Sequence, residues 1–233
     1  IATPAEELSA LAPRRSGQME PTAQSDTNGL AELLTLIKQH DATAYLQAMQ
    51  QRLARQGLQR FVQDTIAPLT RRVGEAWEDG SFEVFEEHLF TELTKRVLRQ
   101  AIATLPPGVR GPRVLLTSVP DEQHILGLLM AEAIFALEGA ECIPLGTQMP
   151  LLEIRRAAEA HQADIVALSF SVAFPQRQIP GLLQQLREVL PASAELWAGG
   201  SGVARISPPP GVRLLGTLER AISAIEEWRA AHA

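Results

Sequence analysis

Cysteine is nearly absent from this 233-residue sequence: Cys142 stands alone and has no partner for an internal disulfide, so a reducing cytoplasm is the expected compartment. An excess of positive charge is missing too. Lys and Arg number 21 against 27 Asp and Glu, a net charge of -6, which offers phosphate backbones little to attract and argues against strong nucleic-acid binding by this chain alone. No run of about 18 apolar residues occurs, so no membrane span is expected. The opening Ile1-Ala2-Thr3-Pro4 has no signal-peptide pattern and reads as a cut or processed end, which leaves room for a segment upstream. No catalytic triad, phosphate loop or cysteine-based zinc set stands out. What remains is ordinary globular material, 45% hydrophobic and 21% charged, enough to bury a core in one large domain or two small ones.

Three textures follow one another along the chain. Residues 1–28, with Pro4, Pro13 and Pro21 among small polar residues, read as a flexible linker. Residues 29–105 place apolar side chains at three- and four-residue spacing with little Gly or Pro between, which predicts four packed helices in an up-and-down bundle. The first is expected over about Leu30–Gln39, and the second opens on Asp41 as N-cap and closes at Gly57. The third runs from Leu58 to Glu78 with a kink at Pro68, and the fourth covers Phe82–Thr104 with Ser81 as its cap. After Pro106-Pro107-Gly108, residues 106–233 alternate short apolar runs with helical stretches. The runs begin near Val114, Glu141, Ile165, Glu195 and Val212, and the pattern predicts a doubly wound, flavodoxin-like parallel sheet covered on both faces. The expected fold is therefore α + α/β, a four-helix bundle followed by a Rossmann-like domain, and ligands of such sheets bind at the C-terminal ends of the strands.

The chemistry-bearing residues gather at that rim. The first strand runs into Glu122-Gln123-His124-Ile125-Leu126-Gly127, which puts an imidazole in the loop at the strand's end and a glycine at the start of the next helix, where the missing side chain lets a bulky group approach. Glu122 can hold one ring nitrogen of His124 and turn the other outward, as metal-bound histidines usually require. Taken alone, His124 could equally be a loop histidine and Gly127 a turn residue. Ser169-Phe170-Ser171 ends the third strand and Gly199-Gly200 the fourth, so small residues recur at the same edge. Together they outline a narrow slot with a metal-seeking histidine at its mouth.

This constellation resembles the cobalamin-binding fold, whose Asp-x-His-x-x-Gly motif binds cobalt through its histidine while the cofactor's dimethylbenzimidazole tail inserts into the protein. The resemblance implies His124 as the lower cobalt ligand, room for the tail at Gly127, and a channel lined by Ser169, Gly199 and Gly200. Two positions depart from the pattern: Glu122 stands where Asp is common, a change that the photoreceptor branch also tolerates, and Ser171 where a Ser-x-Leu motif would have Leu. In the bundle, Trp77 is followed after nine residues by Glu87-His88, and this spacing is similar to the signature of the CarH/LitR family of light-sensing, MerR-type transcriptional regulators, which hold adenosylcobalamin in the dark. A flat aromatic beside a carboxylate suits an adenosyl group. Read separately, Trp77 could be a core residue, and Glu87 and His88 a solvated helix face. The family also implies a helix-turn-helix domain ahead of the bundle, absent from this sequence, so that DNA is met only through it, and assembly into a homo-oligomer, dimer or tetramer. Glu78 stands where well-understood members carry a histidine that takes the upper cobalt position after illumination.

The expected function is accordingly a non-enzymatic adenosylcobalamin sensor, in which light cleaves the cobalt–carbon bond and changes the assembly. A corrinoid methyl carrier shares the two-domain outline but caps its small methyl group with apolar residues. A standalone cobalamin sensor acting on a partner protein, a bilin-plus-cobalamin photoreceptor and a haem-binding relative stay open on sequence.

Overall fold

The computed structural model describes residues 23–108 and 111–232, so most of the segment expected to be a linker lies outside the described residues. Helix α1 (Ala23–Lys38) nevertheless begins inside it, ahead of the expected start near Leu30. Residues 23–28 have no apolar periodicity to reveal a helix; the buried stripe begins only at Leu30 and continues through Leu33 and Ile37. Helix α2 (Ala42–Gln56) has the expected ends. The Asp41 carboxylate accepts from the Ala44 backbone N–H at 2.9 Å, and Gly57, at φ 73°, stops the helix in a conformation that costs a glycine little.

The expected third helix is a composite. One turn of α3 (Leu58–Arg60) passes through a π-helical segment, Phe61–Ile66, into α4 (Ala67–Glu78). Pro68 lacks an N–H and interrupts the regular ladder, and the widened segment just before it absorbs the fault, with the Ala67 N–H reaching back to the Val62 carbonyl. Helix α5 (Val84–Ala103) is not capped by Ser81. Glu83 is the N-cap, its N–H held by Glu86 Oε2 at 2.8 Å, while Ser81 turns back to Asp79. Between α2 and α5 the buried Tyr45 hydroxyl is satisfied by Thr94 at 2.8 Å.

Beyond the bundle the chain alternates as expected: β1 (Arg113–Thr117), α6 (Leu126–Leu137), β2 (Glu141–Gly146), α7 (Leu151–Ala160), β3 (Ile165–Ser169), α8 (Ile179–Val189), β4 (Glu195–Gly199), β5 (Val212–Leu215) and α9 (Leu218–Ala231). The five strands are parallel in the order β2-β1-β3-β4-β5. This is the flavodoxin-like order, and its reversal between β1 and β3 opens a crevice at their C-terminal ends. One apolar core runs without a break from Leu33, Tyr45 and Phe90 of the bundle through Phe135 of α6 to Leu116 and Trp197 of the sheet, so the bundle is seated on the helical layer, chiefly α6, that covers one face of the sheet. A second core, around Ile154, Phe170 and Leu183, seals the other face against α7 and α8.

Candidate functional site

The crevice between β1 and β3 is built around one buried carboxylate. The loop after β1 is pinned by Ser118, whose hydroxyl donates to the Glu122 carbonyl and accepts from the Gln148 N–H at 2.9 Å, tying this loop to the one after β2. Glu122 is thereby tucked in at 1% exposure. Its Oε1 accepts from the His124 backbone N–H at 3.0 Å and from Nδ1 at 2.7 Å, and its Oε2 from the Ser171 N–H at 2.7 Å and the Ser171 hydroxyl at 2.9 Å.

Burial pushes the Glu122 carboxyl up, but the bonds from the His124 ring, the two backbone N–H groups and the Ser171 hydroxyl together outweigh it and hold the group below the usual carboxylate range. The partner moves the opposite way. The hydrogen bond to Glu122 raises the His124 imidazole above its ordinary value against the effect of burial, and the charges of Glu122 and Glu87 add to the rise. With Nδ1 committed to Glu122, Nε2 keeps its lone pair when the ring is neutral. Nε2 has no hydrogen-bond partner among the described residues, and the side chain is 49% exposed.

The glycines around this crevice mark close approaches. A Cβ on Gly127 would lie 2.4 Å from Ser169 Oγ, so the first turn of α6 is drawn onto the end of β3. Gly200, at φ 92°, would bring a Cβ within 2.3 Å of the Phe170 carbonyl oxygen, and on Gly199 one would sit 3.2 Å from that of Leu215. Backbone thus packs against backbone along the rim from β3 to β5, where any side chain would stand in the way.

The bundle contributes the other half. Trp77, 51% exposed, and the exposed Glu78 close α4, and the following turn is fixed by the Phe82 N–H on the Ala76 carbonyl at 2.8 Å and by Lys38, whose Nζ donates at 2.8 Å both to the Ser81 carbonyl and to the buried Glu86. His40 packs on Phe85 with ring centroids 5.3 Å apart. Glu87 pairs with Nδ1 of the 72% exposed His88 at 2.9 Å and accepts from Thr91 at 2.8 Å. Among the described residues no hydrogen bond or ring contact joins Trp77 to Glu87 or His88; the charge of Glu87 adds to the rise at His124. The half-exposed tryptophan excludes its reading as a core residue.

Three contributors escaped the sequence reading. Ser118 locks the loop, Lys38 and Glu86 lock the Trp77 turn, and Phe85 adds exposed apolar surface beside it. The Glu83-x-x-Glu86 pattern was the available signal for the second; for the other two no spacing distinguishes them.

A B12 binding domain family matches residues 30–102. The HTH-type transcriptional repressor CarH of Myxococcus xanthus is 32% identical over 138 residues, 59% of this chain and 46% of that protein. Residues 30–102 are thus similar to a B12 binding domain, and the chain is similar to part of CarH. A second repressor of that organism, CarA, is 30% identical over 119 residues, 51% of this chain and 40% of its own length, so the chain spans less than half of either relative. The monomethylamine corrinoid protein of Methanosarcina barkeri superposes with a TM-score of 0.65 over 85% of this chain and 97% of its own, at 14% identity, a likeness of fold alone. Among the described residues no group of three or more His, Cys, Asp or Glu could hold a metal ion; a cobalt already held by a corrin would need only one further imidazole, and the outward Nε2 of His124, beyond the matched residues 30–102, would fit that need.

Proposed function

We propose that this chain is the adenosylcobalamin-binding, light-sensing part of a transcriptional regulator, with His124 as the lower cobalt ligand and Trp77, Glu87 and His88 over the adenosyl group. The observation that carries the reading is a half-exposed imidazole at the sheet's switch point, fixed through Nδ1 by the buried Glu122 and lying within the field of Glu87 from the bundle. Bound adenosylcobalamin supplies a cobalt–carbon bond that visible light cleaves. The protein's share is to orient. Glu122 and Ser171 hold the imidazole, the close packing at Gly127, Ser169, Gly199 and Gly200 would shape the wall along which the tail runs, and Trp77 offers apolar surface from above. Glu78, exposed at the end of α4, would lie on the adenosyl side and influence what reaches the cobalt after illumination.

In this reading residues 29–105 form the cap and 106–233 the cobalamin domain, and the cofactor clamps the two together and favours a homo-oligomer, dimer or tetramer. DNA is reached through a separate helix-turn-helix domain, the chain performs no catalysis, and it works in the cytoplasm. Purification with the natural chromophore, followed by light scattering on size-exclusion chromatography in the dark and after illumination, tests this. A dark adenosylcobalamin spectrum and a light-dependent change of mass support it. A protein that prefers methylcobalamin and keeps its mass in light is a methyl carrier, and a bilin or haem spectrum ends the reading.

A further inference from the structure

The lysine that closes α1 reaches across to the turn on which Trp77 stands. We propose that Lys38 is a positioning residue for Trp77: it holds the turn between α4 and α5 so that the tryptophan caps an adenosyl group in preference to a smaller upper ligand, and thereby sets cobalamin selectivity from the far helix of the bundle. The inference rests on the reading of Trp77 as the cap over that group.

Helix α1 ends on His40 in the left-handed region, at φ 58°, with the His40 N–H on the Ile37 carbonyl at 2.9 Å and the Asp41 N–H on that of Leu36 at 3.0 Å. Lys38 lies in this last turn, where the negative end of the helix favours a cation. Its Nζ donates at 2.8 Å to two acceptors on other segments, the Ser81 carbonyl in the turn and Glu86 Oε2 in the first turn of α5, and it stands 5.3 Å from the centre of the Phe82 ring. One ammonium therefore joins the end of α1, the turn and the start of α5. The other bonds of the turn are local. The Ala76 carbonyl accepts from the Phe82 N–H at 2.8 Å and from the Ser81 hydroxyl at 3.1 Å, and Asp79 accepts from the Ser81 N–H at 2.8 Å. These bonds fix the shape of the turn against α4, and the reach of Lys38 fixes its place against α1 and α5. Glu86, 3% exposed, holds the Glu83 N–H through the same Oε2 at 2.8 Å, while His40 Nε2 stands off at 3.5 Å from Oε1. Without the lysine a buried carboxylate loses its hydrogen-bonded cation, and the two helix ends that flank Trp77 lose their common tie. The Trp77 ring is half-exposed, so its direction follows the backbone that carries it.

The test uses Lys38→Met, which keeps an unbranched stem without the charge, Lys38→Ala, Trp77→Ala and the double variant Lys38→Met/Trp77→Ala. Affinities for adenosylcobalamin and methylcobalamin are read by absorbance titration, and the mobility of the Trp77 indole by ¹⁵N relaxation in the cofactor-free protein. Both Lys38 variants are expected to bind adenosylcobalamin about 5-fold more weakly, the size of one net hydrogen bond, with methylcobalamin within about twofold of wild type and a more mobile indole. In the Trp77→Ala background Lys38→Met is expected to change adenosylcobalamin affinity by less than about twofold, since the ring through which it acts is gone. Equal losses for the two cobalamins, losses that multiply in the double variant, or an indole as rigid as in wild type would overturn the positioning role. A wild-type chain with no preference for adenosylcobalamin overturns the reading of Trp77 as the adenosyl cap instead, and the indole relaxation still decides whether Lys38 holds the turn.

Discussion

Replacing Gly127 with alanine separates the cost of folding from the cost of binding. The added methyl would stand 2.4 Å from Ser169 Oγ and 3.6 Å from its Cβ, and it meets no backbone atom closely. The obstacle is the end of a side chain with one torsion, so a change of χ1 at Ser169 relieves the clash without moving the strand. Gly127 is also the second residue of α6, where alanine is worth up to about 0.5–1 kcal/mol over glycine. These effects oppose each other, so the cofactor-free protein should change by no more than about 1 kcal/mol, or roughly 2–4 °C in Tm for a chain of this size. The loaded state has no such freedom. A methyl forced into an occupied slot costs typically about 1–3 kcal/mol, which corresponds to about 5- to 150-fold weaker binding. Thermal unfolding of the cofactor-free variant together with an absorbance titration with adenosylcobalamin measures both. Unchanged affinity with an intact fold would refute the slot at Gly127, and a much larger loss of Tm would show that Ser169 cannot turn.

Gly200→Ala should behave oppositely, losing about 3 kcal/mol in urea unfolding before any ligand is added: a φ of 92° with ψ 172° is a region essentially confined to glycine and costs other residues about 1–3 kcal/mol, and the methyl meets the Phe170 carbonyl, which is backbone and cannot turn aside. Stability and binding should also diverge with pH. Glu122 sits below its ordinary range, so its contribution is present above about pH 4.3 and fades as pH falls further; His124 sits above its own, so its contribution is present below about pH 6.5 and fades as pH rises through the raised value. Urea unfolding should find the cofactor-free protein gaining most from this pair between those limits, with the loss on the alkaline side abolished in His124→Ala. Cobalamin affinity, which needs a neutral ring, should rise across that same alkaline interval. After illumination of the loaded protein, added cyanide or imidazole should exchange rapidly in the wild type and slowly in Glu78→His, because a well-hydrated carboxylate is a poorer partner than imidazole for this cobalt; slow exchange in the wild type that is lost in His88→Ala would assign the upper position to His88.

Elements whose signal is local were legible in the sequence. Asp41 and Gly57 mark the ends of α2, and the apolar run at Ile165–Ser169 is a fully buried strand. The start of α1 was not, since residues 23–28 carry no apolar stripe. The cap of α5 fell to Glu83 because Ser81 is taken by Asp79 within the turn, a competition that spacing does not reveal. The same holds at the site. Glu122 and His124 are two residues apart, and their bond could be anticipated, but Ser171 is 49 residues from Glu122 and joins it only because β1 and β3 are neighbours in the sheet. Sequence marked Ser171 as a deviation; the fold makes it a partner.

Adenosylcobalamin titration of the wild-type chain and of His124→Ala, followed at the cobalt absorption bands, bears most directly on the central claim. Wild type should bind with the base-off, histidine-ligated spectrum, and the variant should lose that spectrum and most of its affinity. Equal affinity and an identical spectrum in the two proteins would contradict the account.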